Sequence, residues 1–514
     1  MGQDGPAPTD ILVVGAGPSG LAAGISALDG GRSVTIVEQN FDIGGHGILS
    51  GGFVQLGGGH SLQRELGIED SPERLYDDWI AEDTSMSRFN DRELAWRFAE
   101  ENAATFEFLV DNGVTFRPEP AYIADMSLIG NNSAHRLFQP TAWPVPGERM
   151  NQKGEGAATT LLRSLASSFV RKGGRIRLRS SLTGFLTDPA SGRIVGAAIE
   201  RDGAGHAVHA TQAVILATGG GSGNVEFRRI FDPRLTAEYQ LAGMPYTDQP
   251  ATAEIEALRH AASLWGTANQ TQEKSVSASL SKTGYIGTRW GYVNLRYEPH
   301  HPVFHLARAG GLQVDDWSDI ALVDEFGRRF WNESDASPAF LDAALSYKGN
   351  TLKRDGGGPI WAIFDSRAAA RHGWSLGPQD VDRDGYFFEA DDLRSLAQRI
   401  ANDFTTLRID GATLERTIQR YNGFVASGAD ADFGKPELTA PIDTPPFYAA
   451  WSTPMVHDSL AGLRSDLDGR VLNLRGEVLP GLFVAGESQG GFIQHGLGRV
   501  LVSGRIAGMA AARA

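Results

Sequence analysis

The first residues whose spacing could do chemistry are Gly15, Gly17 and Gly20, in Gly15-Ala16-Gly17-Pro18-Ser19-Gly20, with Glu38 and Gln39 closing the next apolar run. A glycine at the first position permits a tight turn, one at the second lets backbone approach a pyrophosphate, and one at the third allows close helix–strand packing. The helix that opens there offers N–H donors and partial positive charge to phosphate. Glu38 is placed to accept from two ribose hydroxyls, and a carboxylate there repels a 2′-phosphate. A structural βαβ unit without ligand is the alternative. The strand before the turn, the helix after it and the acid ending the next strand together favour dinucleotide binding.

Three further stretches favour FAD over NAD. Ile43-Gly44-Gly45-His46-Gly47-Ile48-Leu49-Ser50-Gly51-Gly52 is a second glycine-rich loop, where a flavin's ribityl chain and ring would pass. The apolar run from Ala213 ends in Ala217-Thr218-Gly219-Gly220-Gly221, and Pro480 to Val484 leads into Ala485-Gly486-Glu487, ahead of Gly504-Arg505-Ile506-Ala507-Gly508. The 63 glycines are clustered rather than repeated, which suits backbone pressed against a ligand. There is no cysteine, so disulfides, zinc–thiolate sites and thiol nucleophiles are excluded, and redox chemistry falls to a bound cofactor. The 514 residues include 47 basic and 62 acidic ones, a net charge of −15 without a basic run, which argues against nucleic-acid and anionic-membrane partners.

These residues need elements to hold them. Ile11 to Val14 and Ser33 to Val37 read as buried strands around a helix from Leu21 to Leu28. The uncharged run from Ile11 to Leu28 could pass for a membrane helix, but its glycines and Pro18 favour strand, turn and helix. Helices are expected over Glu93 to Asp111 and Ala157 to Lys172, and strands over Arg175 to Leu178, Arg193 to Glu200 and Ala213 to Ala217. The middle of the chain is rich in Trp, Tyr, Arg and His, with one strong apolar strand from Ile360 to Phe364. Leu482 to Glu487 and a last helix from Leu497 to Ala512 restore the nucleotide-binding character. The expected fold is α/β: a Rossmann-like FAD-binding domain built from residues 1–242 and 454–514, with an inserted α+β clamp domain over 243–453. Met1 to Asp10 lacks a basic leader region, and a cytoplasmic location is expected.

In these motifs the chain resembles the flavoprotein family that contains soluble fumarate reductases, succinate dehydrogenase flavoprotein subunits and 3-ketosteroid Δ1-dehydrogenases. Within the inserted part, Gly327-Arg328-Arg329-Phe330-Trp331-Asn332-Glu333 and Pro446-Phe447-Tyr448 are in the same style. The resemblance implies FAD, a clamp closing over the isoalloxazine, and hydride transfer at flavin N5 to or from a carbon of a C–C bond. It implies that Glu487 binds the ribityl chain and that the backbone at Gly498, Val500 and Leu501 faces the flavin N1–C2=O edge. A histidine in the loop of His46 carries covalent FAD in succinate dehydrogenases. The spacing from His46 to Gly51-Gly52 is one residue shorter here, and non-covalent FAD is expected.

The chain also departs from the family. Fumarate reductases hold a dicarboxylate with arginines, one of which follows the Arg-Phe-x-Asn-Glu segment. Ser334-Asp335-Ala336-Ser337-Pro338 stands there instead. A desolvated carboxylate without charge-assisted partners is costly, so fumarate and succinate are disfavoured as substrates. The stretch before the last helix is shortened to Phe492-Ile493-Gln494-His495-Gly496-Leu497-Gly498-Arg499, which brings Gln494 and His495 next to the flavin-facing turn. His495 is expected to carry a proton or donate to a carbonyl; packing against the flavin is its alternative. His457 and Tyr448 are the other catalytic candidates, with structural roles as their alternatives. The expected reaction is dehydrogenation of a small cyclic ketone to its enone, with a soluble acceptor or oxygen reoxidising the flavin. Enone or enoate reduction and flavin monooxygenation are the alternatives. No second dinucleotide fingerprint appears, so a tight NAD(P)H site is not expected.

Overall fold

The computed structural model describes residues 8–81, 91–121, 133–142, 157–244, 246–266, 278–281, 285–289, 300, 310–335, 339–346, 357–491 and 496–514. Strand β1 (Thr9–Val14) leads into helix α1 (Pro18–Asp29) and strand β2 (Val34–Val37). Side chains of β1 alternate between two cores: Ile11 and Val13 join Val34 and Ile36 on the α1 side, Leu12 and Val14 join Val37 and Leu216 on the other. Both faces are covered, which is why the strand reads as a continuous apolar run.

Helices α2 (Arg92–Asp111) and α3 (Ala157–Arg171) precede strands β3 (Arg175–Arg177), β4 (Ser180–Thr187), β5 (Ile194–Arg201) and β6 (Ala204–Leu216). Helix α4 (Thr252–Arg259) lies beneath this layer, with Ala253 and Ala257 in the core that also holds Leu182, Val208 and Val484. The inserted unit carries strands β7 (Ala321–Val323), β8 (Trp361–Asp365), β9 (Phe387–Ala390) and β10 (Phe447–Trp451) and helix α5 (Gly411–Ser427). These strands form an antiparallel sheet in the order β7-β8-β10-β9. It too is buried on both faces: Phe364, Phe387 and Tyr448 point into one core, Trp361, Ile363 and Trp451 into another against Leu414 and Ile418 of α5.

Strand β11 (Met455–Ser459) leads back to β12 (Arg470–Leu472), β13 (Val478–Val484) and helix α6 (Gly496–Arg513). The chain's two ends share one eight-stranded sheet, ordered β12-β13-β6-β1-β2-β3, with β5 paired to β6 and β4 to β5. Strands β13, β6, β1, β2 and β3 are parallel. Helices α1 and α6 cross closely because a Cβ on Gly504 would strike the Ser19 carbonyl and one on Gly508 the Ala23 carbonyl. No described helix is long and apolar enough to cross a membrane.

Two parts of this architecture differ from the sequence reading. Strand β4 and the outer half of β6 form a long hairpin system with β5 that was not anticipated, since their side chains are largely exposed or intermediate. The inserted sheet has four strands, whereas the apolar pattern marked one. The passage between the two units is also spread out: Leu235, Tyr239 and Leu241 already pack in the inserted core, while α4 returns to the nucleotide-binding sheet.

Behind the loop that follows β2, His60 is wholly buried and stacks on Phe106 of α2 at 3.7 Å between ring centroids. Its Nδ1 accepts from the Gln63 N–H and its other nitrogen meets the Leu56 carbonyl at 3.2 Å, so the ring is held neutral. Burial pushes its pKa down to about 4. In the unfolded chain it takes up a proton near pH 6.5, so stability falls as pH drops from 6.5 towards 4, by roughly 3 kcal/mol across that window. Denaturant midpoints at pH 7.5 and 4.5 should differ more in the natural protein than in a His60→Gln variant; equal differences would show that His60 contributes nothing to the slope.

Candidate active site and cofactor cradle

The turn after β1 is built from backbone. Gly15 has φ +105° and donates its N–H to the Val37 carbonyl at 2.8 Å. A Cβ on Gly15 would strike the Ala217 carbonyl, and one on Gly20 the Gly15 carbonyl, so these two glycines are required by the fold itself. Gly17 differs: the only atom within 4 Å of a Cβ there is the Gly44 carbonyl oxygen, 3.9 Å away. Gly44 (φ +105°) donates to the Ala16 carbonyl at 3.0 Å, and Gly45 (φ +47°) starts the short 3₁₀ turn Gly45–Leu49 that carries His46. Gly17 and Gly45 thus present bare backbone to open space. Pro18 occupies the first turn of α1 and Ser19 is buried behind it; no side chain caps that turn, so its N–H groups remain available to an anion.

Glu38 is buried, its carboxylate accepting from the Ala16 N–H at 2.7 Å and the Asn40 N–H at 2.9 Å. Burial nevertheless raises its pKa. Gln39 lies at the outer edge, bonded to Asp248 at 2.9 Å. Ser50 donates to the Gly47 carbonyl and accepts from Gly52, while Gln139 holds the Gly51 carbonyl at 3.0 Å. At the end of β6, Ala217 donates to Val14, Thr218 and Ser488 share a hydroxyl contact of 2.9 Å, and Gly219 takes φ +83°. Bare glycine backbone, an uncapped helix end and a buried acid at the second strand's end fit an FAD pyrophosphate and adenosine ribose.

The opposite wall comes from the C-terminal part. Gly486 (φ +71°) donates to the Ser503 hydroxyl at 2.9 Å. Glu487 is half-buried and accepts from Gln249 at 2.7 Å and from the Ser459 N–H at 3.3 Å. Burial raises its pKa, the nearby Asp458 raises it further, and Arg499 opposes both. Gly498, Val500 and Leu501 are buried at the start of α6. Arg499 between them turns inward and donates to the Ser459 and Gln489 carbonyls. It is therefore committed to the protein's own backbone.

His46 and His457 stand 5.5 Å apart between ring centroids. Gln249 meets His46 Nδ1 at 3.2 Å, and His457 Nδ1 meets the Asp458 carboxylate at 2.9 Å. Tyr448 belongs elsewhere: it lies within the inserted sheet, its ring 5.2 Å from Phe364 and 5.5 Å from Phe387, and burial raises its pKa. Gln494 and His495 lie outside the described residues. The sequence reading missed Gln249, which bridges His46 to Glu487, and Asp458, which orients His457. Neither sits in a glycine motif, and the partners of Gln249 are distant in the chain, so local pattern gave no signal.

A family model described as FAD binding domain matches residues 10–248 and 306–499. Fumarate reductase (cytochrome) of Shewanella frigidimarina is 27% identical over 98% of this chain and 77% of its own. The 4-oxocyclohexanecarboxylate 2-dehydrogenase of Sinomonas cyclohexanicum is 25% identical over 93% of this chain and 87% of its own. Further relatives at 25–26% identity are named for urocanate, fumarate and acrylate reduction. Among solved structures, 3-ketosteroid Δ1-dehydrogenase from Sterolibacterium denitrificans superposes with TM-score 0.67, at 20% identity and 99% coverage of each chain, a likeness of fold. With a cradle of this shape and a family match across both of its halves, the chain belongs to the FAD binding domain family and is an FAD-dependent oxidoreductase.

Proposed function

We propose that the enzyme desaturates a cyclic ketone to its enone, removing hydrogen from the CH–CH bond beside the carbonyl. FAD, when bound, supplies the hydride-accepting N5. It would be held non-covalently by the first-turn amides of α1, by Glu38, Thr218 and Gly219, and by Glu487. His46 is left as a lining residue that Gln249 orients.

The single observation that carries the reading is the pairing of His457 with Asp458 beside His46, while Arg499 is directed into backbone carbonyls. A carboxylate on Nδ1 fixes the imidazole tautomer, makes the other nitrogen basic and stabilises the imidazolium that forms on proton uptake. His457 would thus serve as the base for an α-proton, whereas Arg499 is turned into backbone carbonyls. His495 and Gln494, which immediately precede α6, would donate to the ketone oxygen and so acidify that proton. Tyr448 would contribute through the packing of the inserted sheet.

The names of the more similar relatives favour the reverse chemistry, reduction of an enoate. Anaerobic mixing separates the two. Oxidised enzyme should lose its visible flavin absorbance with saturated cyclic ketones and no nicotinamide, and His457→Ala should slow this by roughly 100-fold or more at unchanged FAD content. Reoxidation of pre-reduced enzyme by fumarate-like acids, with no response to ketones, would establish the reductase instead; bleaching that requires NAD(P)H would indicate a monooxygenase.

A further inference from the structure

Glu254, on the first turn of α4, is an unusual side chain. It is fully buried, and among the described residues neither carboxyl oxygen has a well-formed hydrogen bond. The polar side chain that faces it is Ser488, itself wholly buried in the turn that carries Glu487. Ser488 Oγ lies 2.9 Å from Thr218 Oγ1 and accepts from the Gly220 N–H at 3.3 Å. Thr218 is half-buried at the mouth of the cofactor cradle. Ser488 therefore stands between Glu254 in the protein interior and Thr218 at the FAD site.

A hydroxyl has one proton and two acceptor positions, so the direction of the hydroxyl pair depends on Glu254. With Glu254 protonated and its carboxyl turned towards Ser488, its O–H joins the Gly220 N–H in donating to Ser488 Oγ. Ser488 must then donate to Thr218, and the Thr218 proton is directed outward. With Glu254 ionised, Ser488 donates to the carboxylate and Thr218 turns to donate to Ser488. We propose that Glu254 is a positioning residue whose bound proton sets the direction of the Ser488–Thr218 hydroxyl pair, so that Thr218 serves as a donor to FAD.

Burial without a charged partner pushes the Glu254 carboxyl up to about 7, so the proton is exchanged at neutral pH. The other charged groups on the packed elements have partners of their own. Glu487 meets Gln249 but its own carboxyl is pushed up to about 8, so it titrates in the same range; Arg499 is held by two backbone carbonyls, His457 by Asp458, and Glu256 of α4 lies 2.9 Å from Arg259 and 3.5 Å from His260. Strand β4, on which α4 packs, carries no titratable side chain. Ionisation would both withdraw the Thr218 donor and place a buried negative charge beneath an anionic cofactor. FAD binding should thus be tightest below pH 7 and weaken as pH rises through it.

The test is FAD affinity of the apoprotein, read from quenching of free FAD fluorescence between pH 6 and pH 9. The natural protein should bind about tenfold more weakly at pH 9 than at pH 6, a difference of about 1.4 kcal/mol. E254Q keeps a neutral donor and should show the low-pH affinity throughout. S488A breaks the hydrogen-bond chain and should bind FAD more weakly than the natural protein at pH 6, keeping only the part of the pH dependence that the buried charge supplies; natural affinity at pH 6 in S488A would overturn the proposal even if E254Q does not fold. A parallel pH dependence in E254Q would assign the effect to Glu38 or Glu487 and overturn the proposal, as would a flat profile in the natural protein.

Discussion

Replacing Glu333 with alanine should cost the protein about 3–5 kcal/mol, because it leaves buried cations without their counter-charge. Glu333 is fully buried. Arg329 grips both its oxygens at 2.7 Å, Lys435 Nζ lies 3.4 Å away, and the Leu322 N–H donates to it at 3.1 Å. Asp430 completes the cluster, 2.9 Å from Arg329. Two cations thus face two carboxylates in a region closed to water. Burial alone would neutralise the Glu333 carboxyl, yet its pKa is lowered, because Lys435 and Arg329 outweigh the lost solvation. Removing Glu333 leaves Arg329 with Asp430, while the Lys435 ammonium keeps the Ile320 carbonyl and the Tyr421 hydroxyl, both neutral. Since the cluster ties β7 to the end of α5, the loss should fall on the inserted unit. Calorimetry should show its transition lowered by roughly 10 °C, on the scale of about 2–4 °C per kcal/mol for a unit of 150–250 residues. A shift within about 2 °C would mean that water or rearrangement replaces the carboxylate.

That cluster also shows what the sequence could and could not convey. In sequence, Gly327 to Glu333 carries the family style, and no arginine follows it. In the structure the segment is a staple: Gly327 takes φ +77° and Arg329 closes on Glu333, four residues further along the chain. Its chemistry is internal to the fold. By contrast, Gly15, Gly20 and Glu38 were legible because their constraints are local: a turn, a close backbone approach and a strand end within one βαβ unit. The pairing of the chain's two ends was legible because β1 and the closing residues of β6 and β13 are continuous apolar runs, as strands covered on both faces must be. The inserted sheet was harder, because β7 and β9 are short and β10 abuts a Pro-rich turn, so the pattern has few residues in which to declare itself. Gln249 and Glu254 were beyond reach. One joins groups contributed by opposite ends of the chain, and the other lies in Glu254-Ile255-Glu256-Ala257-Leu258-Arg259, which reads as an ordinary surface helix.

Two glycines of the first turn should respond to the same substitution in opposite ways, and the contrast tests the cradle directly. Gly20→Ala places a methyl group against the Gly15 carbonyl, backbone that is itself fixed by Val37 and overlain by Ala217. Neither side can give way without parting α1 from β1, so the apoprotein should lose about 3 kcal/mol or more. Gly17→Ala places the same methyl where only the Gly44 carbonyl stands, at 3.9 Å, and Gly17 keeps an extended backbone that alanine adopts freely. The apoprotein should keep its melting temperature. Its FAD affinity should fall roughly tenfold or more, or about 1.4 kcal/mol, because the methyl group occupies the approach that bare backbone leaves to a pyrophosphate. Melting of both apoproteins and FAD titration of Gly17→Ala separate a steric demand of the fold from a steric demand of the ligand. Full FAD affinity in Gly17→Ala would show that the pyrophosphate does not lie against this turn, and the assignment of the cradle would have to move.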